Sequence, residues 1–388
     1  IAEQSCKLFE NVLTENKPDY VIMHDPRFHH LEIFYQLCKK FNIKVIMPSF
    51  PNVGYRAILS ESENILDNFD ELSLTSGKNR NFDQLQNYIQ NLNLSKQNKV
   101  FNENLNQGKN SILKAGIEFF LYSKNMNEKT HYNYFGRTKL RVFLFTLKSQ
   151  LELFFRSRYI NQNLKTSIPK NQPFVYFPLG VDMERNILIQ SPLITNQIEI
   201  LHQISKSIPI NYKIFVKDNP SQILRSWRSK KEYDEIMNIP NVELFHPDVS
   251  NAELLKNSDL VVTIAGTSGF EAAVYGKPSI TFSDMYYSIL PSVFYVKDIV
   301  NLPKIIDQAL NTKVNPNDVD QYLTFYHNNS FEFDRYGFDQ KILQHFYHNG
   351  NLVDVEITEK KILKFMEDNK NELTKLGNEY IKKIYSYK

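Results

Sequence analysis

The sequence predicts an α/β protein with two Rossmann-like, doubly wound halves, a helical insertion between them and helices after the second. Three observations carry this prediction. A strand–helix–strand pattern occupies residues 18–50, the strand signal fades between about 67 and 170, and strand and helix then alternate from 174 to 282. Such alternation builds parallel sheets covered by helices. At 388 residues the chain also exceeds what one hydrophobic core usually serves.

Residues 1–13 read as an amphipathic helix with no strand before it, and residue 1 is Ile, so the expectation is a partial first domain, 1–66, lacking its N-terminal part. Within it an apolar run at 20–23 follows Pro18 and Asp19, helical apolar spacing covers 31–41, and a second strand is expected at 44–47. From 67 to 170 Asn, Gln and Lys become common and helical patterns take over at 82–92, 110–122 and 138–159, marking an insertion and linker. The second domain, 171–312, is expected to place strands at 174–177, 212–216, 242–245, 260–264 and 279–282. Helices fall between them at 197–207, 252–256 and 269–275. The last segment, 313–388, reads as mostly helical.

Composition narrows the function classes. Hydrophobic residues at 42% and charged residues at 23% fit a folded chain rather than a disordered one. A net charge of +3 is too mild to imply nucleic acid, and no nucleic-acid partner is expected. Cys6 and Cys38 are the only cysteines, with no CxxC pair and no Cys/His cluster at zinc spacing, so neither a disulfide framework nor a metal or other cofactor is expected. A reducing cytoplasm is the expected compartment. No apolar run approaches the roughly 18 residues of a membrane span, and no signal-peptide pattern is visible.

The most informative stretch is 260–278, LVVTIAGTSGFEAAVYGKP. A buried strand runs into a turn of small residues, from which the backbone N–H groups of Gly266, Thr267, Ser268 and Gly269 can point at an anion near the positive end of the next helix. Glu271 would repel a phosphate placed too close but can accept two hydroxyl hydrogen bonds from a ribose. That division of labour suits a nucleotide. An ordinary strand–turn–helix, with glycines for close packing and Glu271 as a helix-dipole partner, is the alternative.

With this motif, the segments FVYFPL at 174–179, YKIFVK at 212–217, IPNV at 239–242 and FSDMYY at 282–287, together with Glu184, Arg185, Asn196, Gln197, Pro220 and Arg225, resemble the capsule polysaccharide biosynthesis proteins. These are GT-B glycosyltransferases whose relatives include the capsular Kdo transferases. The resemblance covers about 173–310, with weaker similarity over 17–66 that includes Tyr55, Arg56 and Ala57. It implies a GT-B-like architecture, a nucleotide-sugar donor site in the second half and an acceptor site in the first. Donor-binding candidates are Arg185, Lys217, Asn219, the 266–269 turn, Glu271 as the ribose partner and Tyr287, the last by stacking on base or sugar unless it is a core tyrosine.

Two positions depart from the family pattern. Gly180 follows FPL where members commonly carry His, and Asn219 stands where they have the His of a His-Pro pair, leaving a neutral donor in place of a potential cation. Both put full activity in question. His246-Pro247 ends a strand at a position where the family does not place that pair, and is read as structural.

Asp25, directly after the first strand, is placed where an acceptor-activating base belongs, with helix capping the favoured alternative. Residues 137–158 mix six basic residues with one acid and an apolar stripe, a pattern that suits either a core helix with a basic outer face or a helix lying on anionic lipid. The reading is a cytoplasmic glycosyltransferase, at the inner membrane face if that helix binds lipid, moving a sugar from a nucleotide donor to a glycan or lipid-linked glycan. The alternatives are a nucleotide-sugar 2-epimerase and a non-catalytic nucleotide- or glycan-binding subunit of a polysaccharide assembly complex.

Overall fold

The computed structural model describes residues 2–26, 28–49, 54–62, 66–67, 76–91, 116–117, 119–121, 139–181, 185–188, 191, 194–350 and 357–387. The first part contains α1 (Ala2–Asn16), β1 (Tyr20–Ile22), α2 (His29–Lys40), β2 (Lys44–Ser49) and β3 (Arg56–Ser60), followed by α3 (Phe82–Asn91) and the long α4 (Lys139–Asn163). Then come β4 (Phe174–Pro178), α5 (Arg185–Leu188), α6 (Gln197–Ser207), β5 (Lys213–Lys217), α7 (Lys230–Met237), β6 (Val242–Phe245), α8 (Asn251–Asn257), β7 (Leu260–Thr263), α9 (Ser268–Val274), β8 (Ser279–Thr281) and β9 (Val293–Tyr295). The chain continues with α10 (Leu302–Leu310), α11 (Pro316–Asn328), β10 (Phe331–Glu332), α12 (Arg335–Phe346), α13 (Glu359–Asp368) and α14 (Lys370–Tyr385).

The second sheet runs β6-β5-β4-β7-β8-β9, with every pair parallel. Its strands are apolar on both faces, as a sheet covered twice requires. Val175, Phe177, Ile214, Val216, Leu260 and Val262 enter one core, while Phe174, Tyr176, Phe215 and Val261 enter the other. Phe174 stacks on Phe215 with centroids 4.1 Å apart. The strand order reverses between β4 and β7, so the connections from these two strands run to opposite sides, the place at the sheet's C-terminal edge where open α/β sheets put a ligand crevice.

The first sheet is built differently. Its β1–α2–β2 unit is parallel, with Val21 opposite Val45, as the 18–50 pattern predicts. Beyond it, β2 pairs antiparallel with β3, and β3 with β10. Among the described residues the doubly wound arrangement is therefore confined to the second sheet. The 50–55 connection is too short for the dozen or more residues of a parallel crossover, so the chain turns back on itself.

Packing also joins parts that the sequence separates. Leu85 of α3 and Val319, Tyr322, Leu323, Phe325 and Tyr326 of α11 belong to the larger core of the second sheet. Buried Asp320 on α11 pairs with Arg80. The core thus runs past residue 312, while the tail reaches the first sheet through β10 and the 2.6 Å pair of Lys383 with Asp67.

Candidate functional site

The loops after β4, β5 and β7 lie at this crevice position, the C-terminal edge of the second sheet. Leu179 N–H donates to the Lys217 carbonyl at 2.9 Å, which keeps the ends of β4 and β5 together. Gly180 comes next, and its whole peptide is held. Its N–H donates to Gln197 Oε1 at 2.7 Å, and its carbonyl accepts from Gln197 Nε2 at 3.1 Å and Arg228 at 2.6 Å. A side chain on Gly180 would begin 3.3 Å from Ile187 Cδ1, so the tip of that isoleucine would have to give by a few tenths of an ångström.

Arg228 also donates to buried Asp218 Oδ2 at 3.1 Å. Tyr233 Oη donates to the same oxygen at 2.7 Å, and Asn219 N–H to Asp218 Oδ1 at 2.8 Å. Burial pushes the Asp218 carboxyl up to about 7, opposed by the bonds from Tyr233 and the Asn219 N–H. Together these residues form a brace behind the crevice, binding β5 to the β4 loop. Sequence reading assigns no role to Asp218 and Gln197, although both lie in or beside family-like segments, and misses Arg228 and Tyr233, because their partners lie on other elements. The one local signal is the Ser229/Glu232 capping box that starts α7 directly after Arg228.

Lys217, the last residue of β5, is 7% exposed and spends one of its three N–H donors on the Val249 carbonyl at 2.9 Å. Burial lowers its pKa, and the charges of Glu271 and Asp248 oppose that. Glu271 accepts from Thr267 Oγ1 at 2.9 Å and from Asn251 Nδ2 at 3.1 Å. Burial raises its carboxyl pKa, while the two hydrogen bonds and Lys217 pull it back. Asn251 in turn accepts from Tyr176 Oη at 2.6 Å. A polar chain therefore links β4, α8 and α9, and Lys217 on β5 lies within its field.

The 266–269 turn is more committed than its sequence implies. Gly266 N–H donates to Thr263 Oγ1 at 3.1 Å, and Gly269 N–H to the Gly266 carbonyl at 3.4 Å. Among the described residues, the N–H groups of Thr267 and Ser268 alone in this turn lack a protein acceptor. Tyr287 corrects the stacking expectation: it is wholly buried, and its hydroxyl donates to the Gly266 carbonyl. A Cβ on Gly269 would lie 2.7 Å from the Tyr287 ring, so the glycine admits the tyrosine that props the turn.

Asn219 caps the 3₁₀ turn Pro220–Arg225, its Oδ1 accepting from Ser221 N–H at 3.0 Å. Arg185 opens α5 and Arg225 ends the 3₁₀ turn, but both side chains lie outside the described residues, as does Glu184. His246 bonds Asn161 Oδ1 at 3.0 Å through Nε2 and accepts from Asp248 N–H at 3.2 Å, a structural use that fixes the end of α4.

Asp25 is buried just past β1. The cap position of α2 is taken by Phe28, three residues further on. Arg56 is engaged with Ser330 and the His327 carbonyl at one side of a cleft of about 570 Å³ that Tyr55, Phe333 and Lys375 also line. Among the described residues no three His, Cys, Asp or Glu side chains converge as a metal ion would require.

Among known proteins, the family model described as capsule polysaccharide biosynthesis protein matches residues 78–290 of this chain. No protein of curated function matches. Among solved structures, the UDP-GlcNAc 2-epimerase of Methanocaldococcus jannaschii, in complex with UDP-GlcNAc and UDP, is 16% identical over 84% of this chain and 80% of its own, with a TM-score of 0.30. The β-Kdo 2,7 transferase of Thermosulfurimonas dismutans KpsC is 12% identical over 81% of this chain and 78% of its own, with a TM-score of 0.36. Superpositions this loose carry no argument about the reaction.

Proposed function

The chain belongs to the capsule polysaccharide biosynthesis protein family, whose model matches more than half its length, and from that premise we propose that it is a glycosyltransferase of surface polysaccharide assembly. It takes its sugar from a nucleotide donor bound at the crevice of the second sheet. The observation that carries this reading is that Lys217, within the field of Glu271, and the Thr267–Ser268 backbone lie at the ends of β5 and β7, on either side of β4 at the strand-order reversal. Open α/β sheets bind ligands at such a reversal.

In this reading the acceptor hydroxyl oxygen attacks the anomeric carbon of the donor sugar, and the bond from that carbon to the donor phosphate oxygen breaks. The hydroxyl proton passes to a base, for which Asp25 is the candidate. Negative charge grows on the departing phosphate, where a covered ammonium is screened less than one in water. Lys217 and the N–H groups of Thr267 and Ser268 supply that stabilisation, and Glu271 accepts from the ribose hydroxyls.

A panel of CMP-, UDP-, GDP- and ADP-sugars tests the reading. Calorimetry should find one nucleotide class bound, and added glycan or lipid-linked glycan should release its nucleotide. Product from donor alone would make the protein an epimerase. Binding without turnover across the acceptors would leave a binding subunit, the outcome that Gly180 and Asn219 motivate.

A further inference from the structure

The long helix α4 presents an apolar face to solvent. Leu140, Phe143, Leu144, Leu147, Leu151, Phe154 and Phe155 are each 49–66% exposed. At about 100° per residue they fall within an arc of roughly 120° on the helical wheel, while Phe145, 70% exposed, stands outside it beyond Lys148 and Arg141. The opposite side is the one that packs. Ile160 is buried, Leu153 and Tyr159 lie against the core of the second sheet, and Arg156 donates to the Ser226 and Trp227 carbonyls at 3.2 and 2.9 Å. The apolar arc is therefore surplus to the packing that holds α4 in place. Exposed Ile117, Phe120 and Leu121 extend the patch, brought to the start of α4 by the bond from Lys139 Nζ to the Phe120 carbonyl at 2.6 Å.

Charge identifies the occupant. The helix carries five Lys and Arg against Glu152 alone, and Glu152 already faces Arg156 at 3.1 Å and Lys148 at 3.8 Å. On the same wheel Lys139 borders one edge of the apolar arc, Arg141 and Lys148 border the other, and Arg158 closes its C-terminal end. An apolar stripe with cations along both margins matches the boundary of an anionic bilayer, where rings and aliphatic chains enter the acyl region and cations meet the phosphates. A second copy on this face would instead bring like charges together. No helix among the described residues is long and apolar enough to cross a membrane, so the geometry is that of a surface contact.

We propose that the face of α4 that carries Phe143, Leu147 and Phe154 docks this protein on an anionic lipid surface. The protein is floated with vesicles of phosphatidylcholine alone or with about one third phosphatidylglycerol. Wild type should bind the anionic vesicles, more weakly at high salt. The variant Phe143→Ser/Leu147→Ser/Phe154→Ser should lose that binding while keeping wild-type circular dichroism. Lys139→Gln/Arg141→Gln/Lys148→Gln should weaken it on the order of a hundredfold, at about fivefold per charge. Failure of wild type to float, or equal flotation of the apolar variant, overturns the proposal. So does a wild-type dimer in ultracentrifugation that the apolar substitutions dissociate, because the face would then belong to a second copy.

Discussion

Replacing Arg228 by Met removes the guanidinium from the brace behind the crevice while keeping much of its length. Asp218, 0% exposed, would keep its bonds from Tyr233 and the Asn219 N–H but lose its only cationic contact among the described residues. Removing one partner of a buried pair costs about 3–5 kcal/mol, because the other charge stays behind. Asp218→Asn on the Arg228→Met background removes that orphan charge and should restore much of the loss, giving a coupling of about 2 kcal/mol or more. The deficit also depends on pH. A carboxyl whose folded pKa lies above its unfolded value of 3.8 contributes stability that is full below that value and lost as pH rises through the folded one, about 7 in wild type. Without Arg228 the folded value climbs further, so Arg228→Met should lose most at pH 8 and least at pH 5, by roughly 1.4 kcal/mol for each pH unit in which it retains a proton that wild type has released. Trp227, the sole tryptophan, lies beside Arg228 and bonds Ser157, so its fluorescence during urea unfolding reports on this region. A cost below about 1 kcal/mol at pH 8, or strictly additive single and double variants, would refute the reasoning.

Glu271→Gln should weaken nucleotide binding at least about tenfold in calorimetry, through loss of charge-assisted bonds to the ribose; an unchanged affinity would leave Glu271 to its Thr267 and Asn251 partners. Gly269→Ala should cost about 1–3 kcal/mol, read by thermal unfolding, because its Cβ meets Tyr287 at 2.7 Å. Asn219→Ala should cost about 1 kcal/mol through the lost cap. Asn219→His should raise transfer rates below the imidazole pKa of about 6.5, with the gain fading above it, and a flat rate ratio across pH 5.5–8.5 would remove position 219 from the chemistry. A fragment ending at 312 should be less soluble than one ending at 329, because the shorter one strips Tyr322 and Tyr326 from the core.

Periodicity alone determined most of the second sheet. Its strands are short apolar runs between amphipathic helices, and such local patterns need no distant partner to be read. The β1–α2–β2 unit and the 266–269 turn were legible for the same reason. The antiparallel β3 and β10 were not, because Arg56 to Ser60 carries no pattern that distinguishes a parallel from an antiparallel neighbour, and a two-residue strand has no period at all. The candidate site divides in the same way. Lys217, Glu271 and the small-residue turn stand out by their place at strand ends, whereas the brace of Asp218, Arg228, Tyr233 and Gln197 exists only where chain folding brings separate elements together. Tyr287 shows why tertiary contact had the last word: an aromatic in a matching segment can serve ligand or core, and only the absence of a Cβ on Gly269 opens the space that buries it. The apolar stripe of α4 was equally plain in the sequence, but which side of that helix the core takes is decided by where Ile160, Tyr159 and Arg156 find partners, and that leaves the stripe facing outward.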